Sequence, residues 1–331
     1  MTPAARRAQN DSFIWAGTDN TQLITKNRKL ATNLLEIGLE FQHIICYDIL
    51  VSIWEALRAF LSVPQMIFSS KGAKIMALPH TIAVAGKGGV GKTTTCGMMI
   101  DYLCKKHQGP ILVVDADANS NLNEVLGVEA DVTLGQIREE MAQAELKGTI
   151  PAGMTKADYA EFKFSSALIE EDDFDMLVMG RTQGKGCYCY VNGVLKSQVD
   201  KYAKNYSYIV MDNEAGLEHV ARGTLPHVDT MLLISDCSRR GIQAVARIAQ
   251  MVDEMGLNPG QMGLIVNRAP GGVLEDGVKE EIEKHGLKLF GVLPHDDAVY
   301  RCDCNGEPSA KLPDTDGMKL ALQGIMKNIG L

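Results

Sequence analysis

Residues 86–93 read Gly-Lys-Gly-Gly-Val-Gly-Lys-Thr, which satisfies G-x-x-x-x-G-K-[ST], a phosphate-cradling loop. Glycines let successive backbone N–H groups turn inward toward phosphate oxygens, and a helix N-terminus behind them adds its dipole. On this reading Gly86, Lys87, Gly88, Gly89, Val90, Gly91, Lys92, Thr93 and Thr94 form a nucleotide cradle. Lys92 would lie against the β- and γ-phosphates, and Thr93 would hold Mg²⁺ through its hydroxyl. Three later segments carry polar groups of the kinds such a cradle needs: Asp115-Ala-Asp117, Asp212-Asn-Glu214, and Asn267-Arg268 with Pro294 further on. A separate pair, Cys187-Tyr-Cys189, offers two thiols.

The elements that must position these groups alternate along the chain. Short apolar runs predict strands over Ile82–Ala85, Ile111–Asp115, Asp175–Met179, Tyr208–Asp212, Thr230–Ser235, Met262–Asn267 and Lys288–Leu293. Helical segments are predicted at Thr94–Leu103, Thr133–Lys147, Gly193–Asn205, Gly241–Met255, Leu274–His285 and Gly317–Ile329. Continuous apolar strands between helices indicate an α/β, three-layer, doubly wound and mostly parallel sheet with helices on both faces, a P-loop NTPase architecture. Ligands in such sheets bind beyond the carboxyl ends of the strands, where the motifs above fall.

Lys87, directly after the first glycine, makes the loop resemble the deviant P-loop of an ATPase class. That class includes nitrogenase iron protein, the cell-division ATPase MinD, chromosome-partition ATPases and metal-insertion ATPases. There the extra lysine reaches the partner's nucleotide, so the resemblance implies an ATP hydrolase working as a homodimer. Val114–Leu122 resembles the switch I segment, which implies that Asp117 positions the attacking water, with Asp115 as second choice. Ala118 stands where the class usually has proline, leaving the loop more flexible. Tyr208–Gly216 resembles a Walker B strand entering switch II, so Asp212 would bind Mg²⁺ through water and Gly216 would let backbone approach the γ-phosphate. His219 beside it is equally a local hydrogen-bonder or a functional group. Asn267, Arg268 and Pro294 match positions where the class recognises the base, mostly by the asparagine amide and backbone, and adenine is expected. The catalytic set implied is Lys87, Lys92, Asp117 and Asp212.

In an extended C-x-C both side chains point to one side, so Cys187 and Cys189 can pinch one soft or borderline metal. A closed Zn²⁺ site wants four ligands, and a two-fold dimer would supply the other two. On spacing alone, two free thiols fit equally. The P-loop with Lys87, Cys187-Tyr-Cys189 and Asp212-Asn-Glu-Ala-Gly-Leu-Glu-His-Val220 together resemble the nickel-insertion ATPases of carbon monoxide dehydrogenase maturation, the CooC type. The resemblance implies a cytoplasmic ATP-dependent metallochaperone carrying Ni²⁺ or Zn²⁺ across its dimer axis to an apo-enzyme, carbon monoxide dehydrogenase or acetyl-CoA synthase. Two other readings stay open: an iron–sulfur electron donor like nitrogenase iron protein, or a MinD- or partition-type positioning ATPase. The last would use Gly317–Leu331 as an amphipathic membrane anchor, although a terminal helix packed on the sheet is the expectation. Cys302-Asp-Cys304 reads as free thiols near the base.

The composition of the 331 residues, 46% hydrophobic and 22% charged, is that of an ordinary globular chain. A net charge of −8 argues against a nucleic-acid backbone as partner, and no uncharged 18-residue apolar run argues for a membrane span. Residues 1–75 differ from the rest. They hold both tryptophans, and eight basic against six acidic residues. The expectation is an N-terminal extension over 1–75 upstream of a native start at Met76, and a single ATPase domain over 76–331. A coding sequence that gives Lys71-Gly72-Ala73 a ribosome-binding purine run would agree with this.

Overall fold

A computed structural model describes residues 66–67, 76–106, 109–181, 188–214, 225 and 227–331. Its centre is β1 (His80–Gly86), whose side chains alternate between two cores, as the two-residue period of a strand requires. Ala83 and Ala85 enter one core, while Ile82 and Val84 enter the other. All four are fully buried, so the strand reads as a continuous apolar run.

Around β1 lie β2 (Ile111–Asp115), β3 (Leu168–Glu170), β4 (Phe174–Val178), β5 (Tyr208–Asp212), β6 (Thr230–Asp236), β7 (Gln261–Ala269) and β8 (Leu289–Pro294). The eight strands run in the order β8-β7-β6-β1-β5-β2-β4-β3. All neighbours are parallel except the edge pair β3–β4. The expected doubly wound sheet is present. The antiparallel edge strand β3 was not predicted, because its three residues, two half-buried and one exposed, make no apolar run. A two-residue antiparallel ladder, Met66–Ile67 with Met76–Ala77, lies apart from this sheet.

Helices cover both faces. On one side α1 (Lys92–Lys105), α2 (Leu122–Leu126) and α9 (Gly317–Asn328) contribute Met99, Leu103, Leu126, Leu322 and Met326 to the core. On the other, α3 (Leu134–Lys147), α4 (Lys156–Ser165), α5 (Tyr188–Tyr202), α6 (Arg239–Glu254) and α7 (Asp276–Lys284) contribute Ile137, Phe164, Val199, Val245 and Ile282. Helix α8 (Asp297–Asn305) follows β8 at the carboxyl edge. Truncating a fully buried strand residue such as Leu112 to Ala would cost about 2–5 kcal/mol.

Two buried charges fix helices in place. Lys319 of α9 is 2% exposed and donates to Asp101 on α1 at 2.7 Å and to the carbonyls of Ala310 and Leu312. With Met318, Leu322 and Met326 also buried, the terminal helix is packed on the sheet and its apolar face is not available as an anchor. Glu281 of α7 accepts from Arg239 at 2.8 and 3.1 Å, Gln243 at 3.0 Å, and Lys284 at 3.4 Å, with His285 at 3.1 Å. Among the described residues, no helix is long and apolar enough to cross a membrane.

Candidate nucleotide site

The loop after β1 can take its shape only because of its glycines. At Gly86 (φ 158°) a Cβ would sit 2.3 Å from the carbonyl oxygen of Ile234 on β6. At Gly91, which caps α1 at φ 91°, it would sit 2.3 Å from Asn267 Nδ2. The first turn of α1 holds no acidic residue, so its positive end is open to an anion. Lys92 is buried and folds back along the loop, donating to the carbonyl of Lys87 at 3.3 Å. Lys87, Gly88 and Gly89 are exposed, while Val90 is buried; Thr93 and Thr94 occupy the first turn of α1.

Two acids end the adjacent strands β2 and β5. Asp115 and Asp212 are register partners, and both are almost fully buried. Asp115 is engaged: its Oδ1 accepts from Asp117 N at 3.0 Å and its Oδ2 from Leu122 N at 3.1 Å. Burial pushes its carboxyl up to about 6 against those bonds. It holds the loop after β2 by its backbone, which leaves Asp117 as the half-buried carboxylate presented there. Asp117 Oδ1 in turn accepts from the backbone N of Asn119 at 2.8 Å and from its Nδ2 at 3.1 Å.

Asp212 is different. Its Oδ1 is buried with no hydrogen-bond partner among the described residues. Burial pushes its carboxyl up to about 7, while the hydrogen bond from Thr93 and the charge of Lys92 pull it down. A desolvated, half-satisfied carboxylate beside the Thr93 hydroxyl fits a hard divalent cation such as Mg²⁺, which binds through one or two oxygens and keeps its waters. Bound there, the cation would neutralise phosphate charge.

At the other end of the cradle, Asn267 Nδ2 donates to the carbonyl of Val90 at 2.9 Å, and its Oδ1 accepts from Arg268 N at 2.8 Å. Arg268 has φ 59°, a left-handed conformation uncommon for a side-chain residue, and donates from Nη1 to the carbonyl of Gly89 at 3.0 Å. The pair braces the phosphate loop. The asparagine amide expected to read a base therefore has both its ends engaged within the protein. Beside it opens a cavity of about 410 Å³, lined by Thr94, Arg268, Pro294, Val299 and Tyr300 among others. Sequence reasoning missed Tyr300, because only the fold brings it to the same cavity as Arg268 and Pro294. Asp296 on the same rim is occupied in capping α8, accepting from Ala298 N at 2.8 Å.

Cys302 and Cys304 are free thiols, as expected. Two residues apart on α8 they point to opposite sides, one buried and one exposed. Burial raises the thiols of Cys96, Cys104 (to about 12) and Cys302 above their ordinary values, keeping them neutral. The C-x-C pair needs a correction. Helix α5 begins at Tyr188, so Cys189 lies in a first helical turn rather than in an extended segment. Cys187, Gly216 and His219 lie outside the described residues. Among the described residues, no three His, Cys, Asp or Glu side chains converge as metal ligands.

Comparison with known proteins agrees with this geometry. The sequence profile of the CobQ/CobB/MinD/ParA nucleotide binding domain matches residues 81–309. An uncharacterized ATP-binding protein of Methanocaldococcus jannaschii is 41% identical over 248 residues, which cover 75% of this chain and 97% of that one. The carbon monoxide dehydrogenase accessory protein CooC of Rhodospirillum rubrum is 27% identical over 64% of this chain and 90% of its own. In fold, the cell division ATPase MinD of Pyrococcus furiosus superposes with a TM-score of 0.56 at 21% identity, over 76% of this chain and 98% of that one. A braced phosphate loop, a buried and only half-satisfied aspartate at the end of the neighbouring strand and a matching profile over most of the chain lead to one conclusion: this chain belongs to the CobQ/CobB/MinD/ParA family of ATP-binding P-loop ATPases.

Proposed function

We propose that this chain is an ATP-dependent metallochaperone that assists nickel insertion into the Ni–Fe–S centre of carbon monoxide dehydrogenase or acetyl-CoA synthase. The observation that carries the reading is Cys187-Tyr-Cys189, a C-x-C pair after β4 in sequence whose last two residues open helix α5, in a chain of this ATPase family. The similarity to the Rhodospirillum rubrum accessory protein supports it. Neither positioning on a membrane nor partition gives these cysteines a role, and the apolar residues Met318, Leu322 and Met326 of α9 are buried in the core.

In the proposed cycle ATP binds along Gly86–Thr94, with Lys92 at the phosphates and Thr93 and Asp212 holding Mg²⁺. Lys87, exposed on the loop, reaches the nucleotide of a second protomer, which makes the P-loop a deviant Walker A and the working unit a homodimer. Asp117 orients the attacking water. Closure brings two C-x-C pairs together around one Ni²⁺ or Zn²⁺, and hydrolysis reopens the dimer so that metal passes to the client enzyme. Reciprocal coupling is required: if ATP changes metal affinity, metal must change ATP affinity by the same factor.

Anaerobic titration of the full chain with Ni²⁺ and Zn²⁺, read by metal analysis and light scattering with and without a non-hydrolysable nucleotide, tests this. About one metal per dimer, lost in the Cys187→Ser/Cys189→Ser double variant, is the expected result. Unchanged binding in that variant, or equal metal affinity in every nucleotide state, overturns it. A brown anaerobic spectrum would instead indicate an iron–sulfur carrier.

A further inference from the structure

The carboxylate of Asp117 is not held by its own loop alone. Its Oδ1 takes both N–H donors of Asn119, from the backbone at 2.8 Å and from the side chain at 3.1 Å. The oxygen of the same amide accepts from Nη2 of Arg181, 62 residues further along the chain. One amide is thus used at both ends, with its donor toward Asp117 and its acceptor toward a guanidinium.

Arg181 stands on a fixed mount. Just before it, Met179 N donates to the carbonyl of Asp115 at 2.9 Å, and the Met179 carbonyl accepts from Gly135 N at 2.9 Å. Gly180 is left-handed (φ 65°), with room for a Cβ only 2.4 Å from Thr133 Oγ1. Gly135 packs so closely that a Cβ there would meet the Arg181 carbonyl oxygen at 2.5 Å. The backbone that carries Arg181 is therefore tied to β2 and to the start of α3. In the loop it reaches, Asn119 is exposed and the next residue, Ser120, holds a left-handed φ of 49°.

We propose that Arg181 is a positioning residue for hydrolysis, acting through Asn119 to aim Asp117. A guanidinium carries only donors, so just the oxygen end of the Asn119 amide can face it. The Asp117 carboxylate only accepts, so the NH₂ end of the same amide faces it. Without Arg181 the Asn119 side chain loses the anchor at its oxygen end, and with it the fixed position from which it aims Asp117. The inference rests on Asp117 being the carboxylate that orients water. Arg181 also lies six residues before Cys187, so this contact joins the hydrolytic loop to the stretch of sequence that carries the C-x-C pair.

Steady-state ATP hydrolysis by the full chain tests the inference, with Asp117→Asn, Arg181→Ala, Arg181→Lys, Asn119→Ala and the Arg181→Ala/Asn119→Ala double variant. Arg181 is exposed, so its truncation leaves the fold intact, which a thermal melt checks. Asp117→Asn should abolish turnover with nucleotide binding retained. Arg181→Ala should lower kcat about tenfold with KM for ATP within twofold, since only water orientation is disturbed. Arg181→Lys, which also only donates, should recover most of the loss, and the double variant should be no slower than Asn119→Ala alone. Wild-type kcat in Arg181→Ala, or losses that multiply in the double variant, overturns the inference while leaving the role of Asp117 standing. Normal turnover by Asp117→Asn overturns both.

Discussion

Two buried carboxylates in this chain have opposite fates. Glu281, on the flank between α6 and α7, is 2% exposed and has four side chains around it. Bonds from Gln243 and Arg239 lead the effects that pull its carboxyl down to about 2. Asp212, at the carboxyl edge of the sheet, is 1% exposed, has an oxygen without a partner among the described residues, and is pushed up to about 7. Burial alone does not distinguish a structural acid from a functional one; satisfaction does. Glu281 is charged and complete, so it pins two helices. Asp212 is incomplete until something cationic arrives, and it lies where the phosphate loop delivers such a ligand.

Asp212→Asn breaks the contrast most severely. ATP hydrolysis should fall by about a hundredfold or more, because the cation loses its anionic ligand. The nucleotide-free protein should behave in the opposite sense. A carboxyl raised from 3.8 to about 7 stabilises the fold when protonated at low pH, and that contribution is lost as pH rises through the interval toward 7. At pH 8 the Asn variant escapes the loss and should melt about 2–4 °C higher, for a gain on the order of 1 kcal/mol. An activity assay and thermal melts at pH 6 and 8 check both halves; a variant less stable at both pH values would make Asp212 a structural acid like Glu281.

Asn267→Ala tests whether the base end of the site is structural in the way Glu281 is. It frees the carbonyl of Val90 and the amide of Arg268, both of which Asn267 now engages. The expected result is about tenfold weaker nucleotide binding by calorimetry and a stability loss of about 1–3 kcal/mol. Weaker binding without loss of stability would mean that the amide contacts the nucleotide directly.

Glu281→Gln sharpens the comparison from the other side. Its carboxyl is lowered from 4.5 to about 2, so its contribution is present above 4.5 and lost as pH falls toward 2. The Gln variant should melt several degrees lower than the parent at pH 7, with the gap narrowing on acidification, and kcat should be unchanged. The pH slopes of Asp212→Asn and Glu281→Gln, each relative to the parent, then lie in different windows, one between about 4 and 7 and one below 4.5.

Much of this was legible in the sequence because the signals are local. The P-loop is a contiguous string with obligatory glycines, and β2 and β5 are apolar runs that stop at an aspartate, so their ends came out at Asp115 and Asp212 without error. What was illegible depends on tertiary approach. Nothing local distinguishes Asp115 from Asp117 until the backbone of Leu122 closes on the former. Arg181 is one exposed arginine among many until its guanidinium meets a loop 62 residues away. The bond from Asn267 to the carbonyl of Val90, 177 residues earlier, forms only because β1 and β7 lie in one sheet. The short helices α2, α4 and α8 were also missed. Each offers too few apolar positions for a helical period to stand out, and all three depend on capping or packing for their stability.

The smallest effect is expected at Tyr300, where the two regimes meet. Its ring is 61% exposed on the rim of the cavity that opens beside Asn267, and no other aromatic side chain lines that cavity apart from His295. If this cavity receives the base, side chains such as Pro294, Val299 and Tyr300 offer it surface contact beside the engaged Asn267 amide. Stacking on an exposed ring is sequence-tolerant and contributes only modestly. Tyr300→Ala should therefore raise KM for ATP about threefold, leave kcat unaltered, and change the ATP-to-GTP preference little. Tyr300→Phe should be indistinguishable from the parent. If Tyr300→Ala instead collapses the preference between the two nucleotides, the base is being read by the phenol oxygen or a group it orients, and the base end would be a site of hydrogen-bond readout, not of shape.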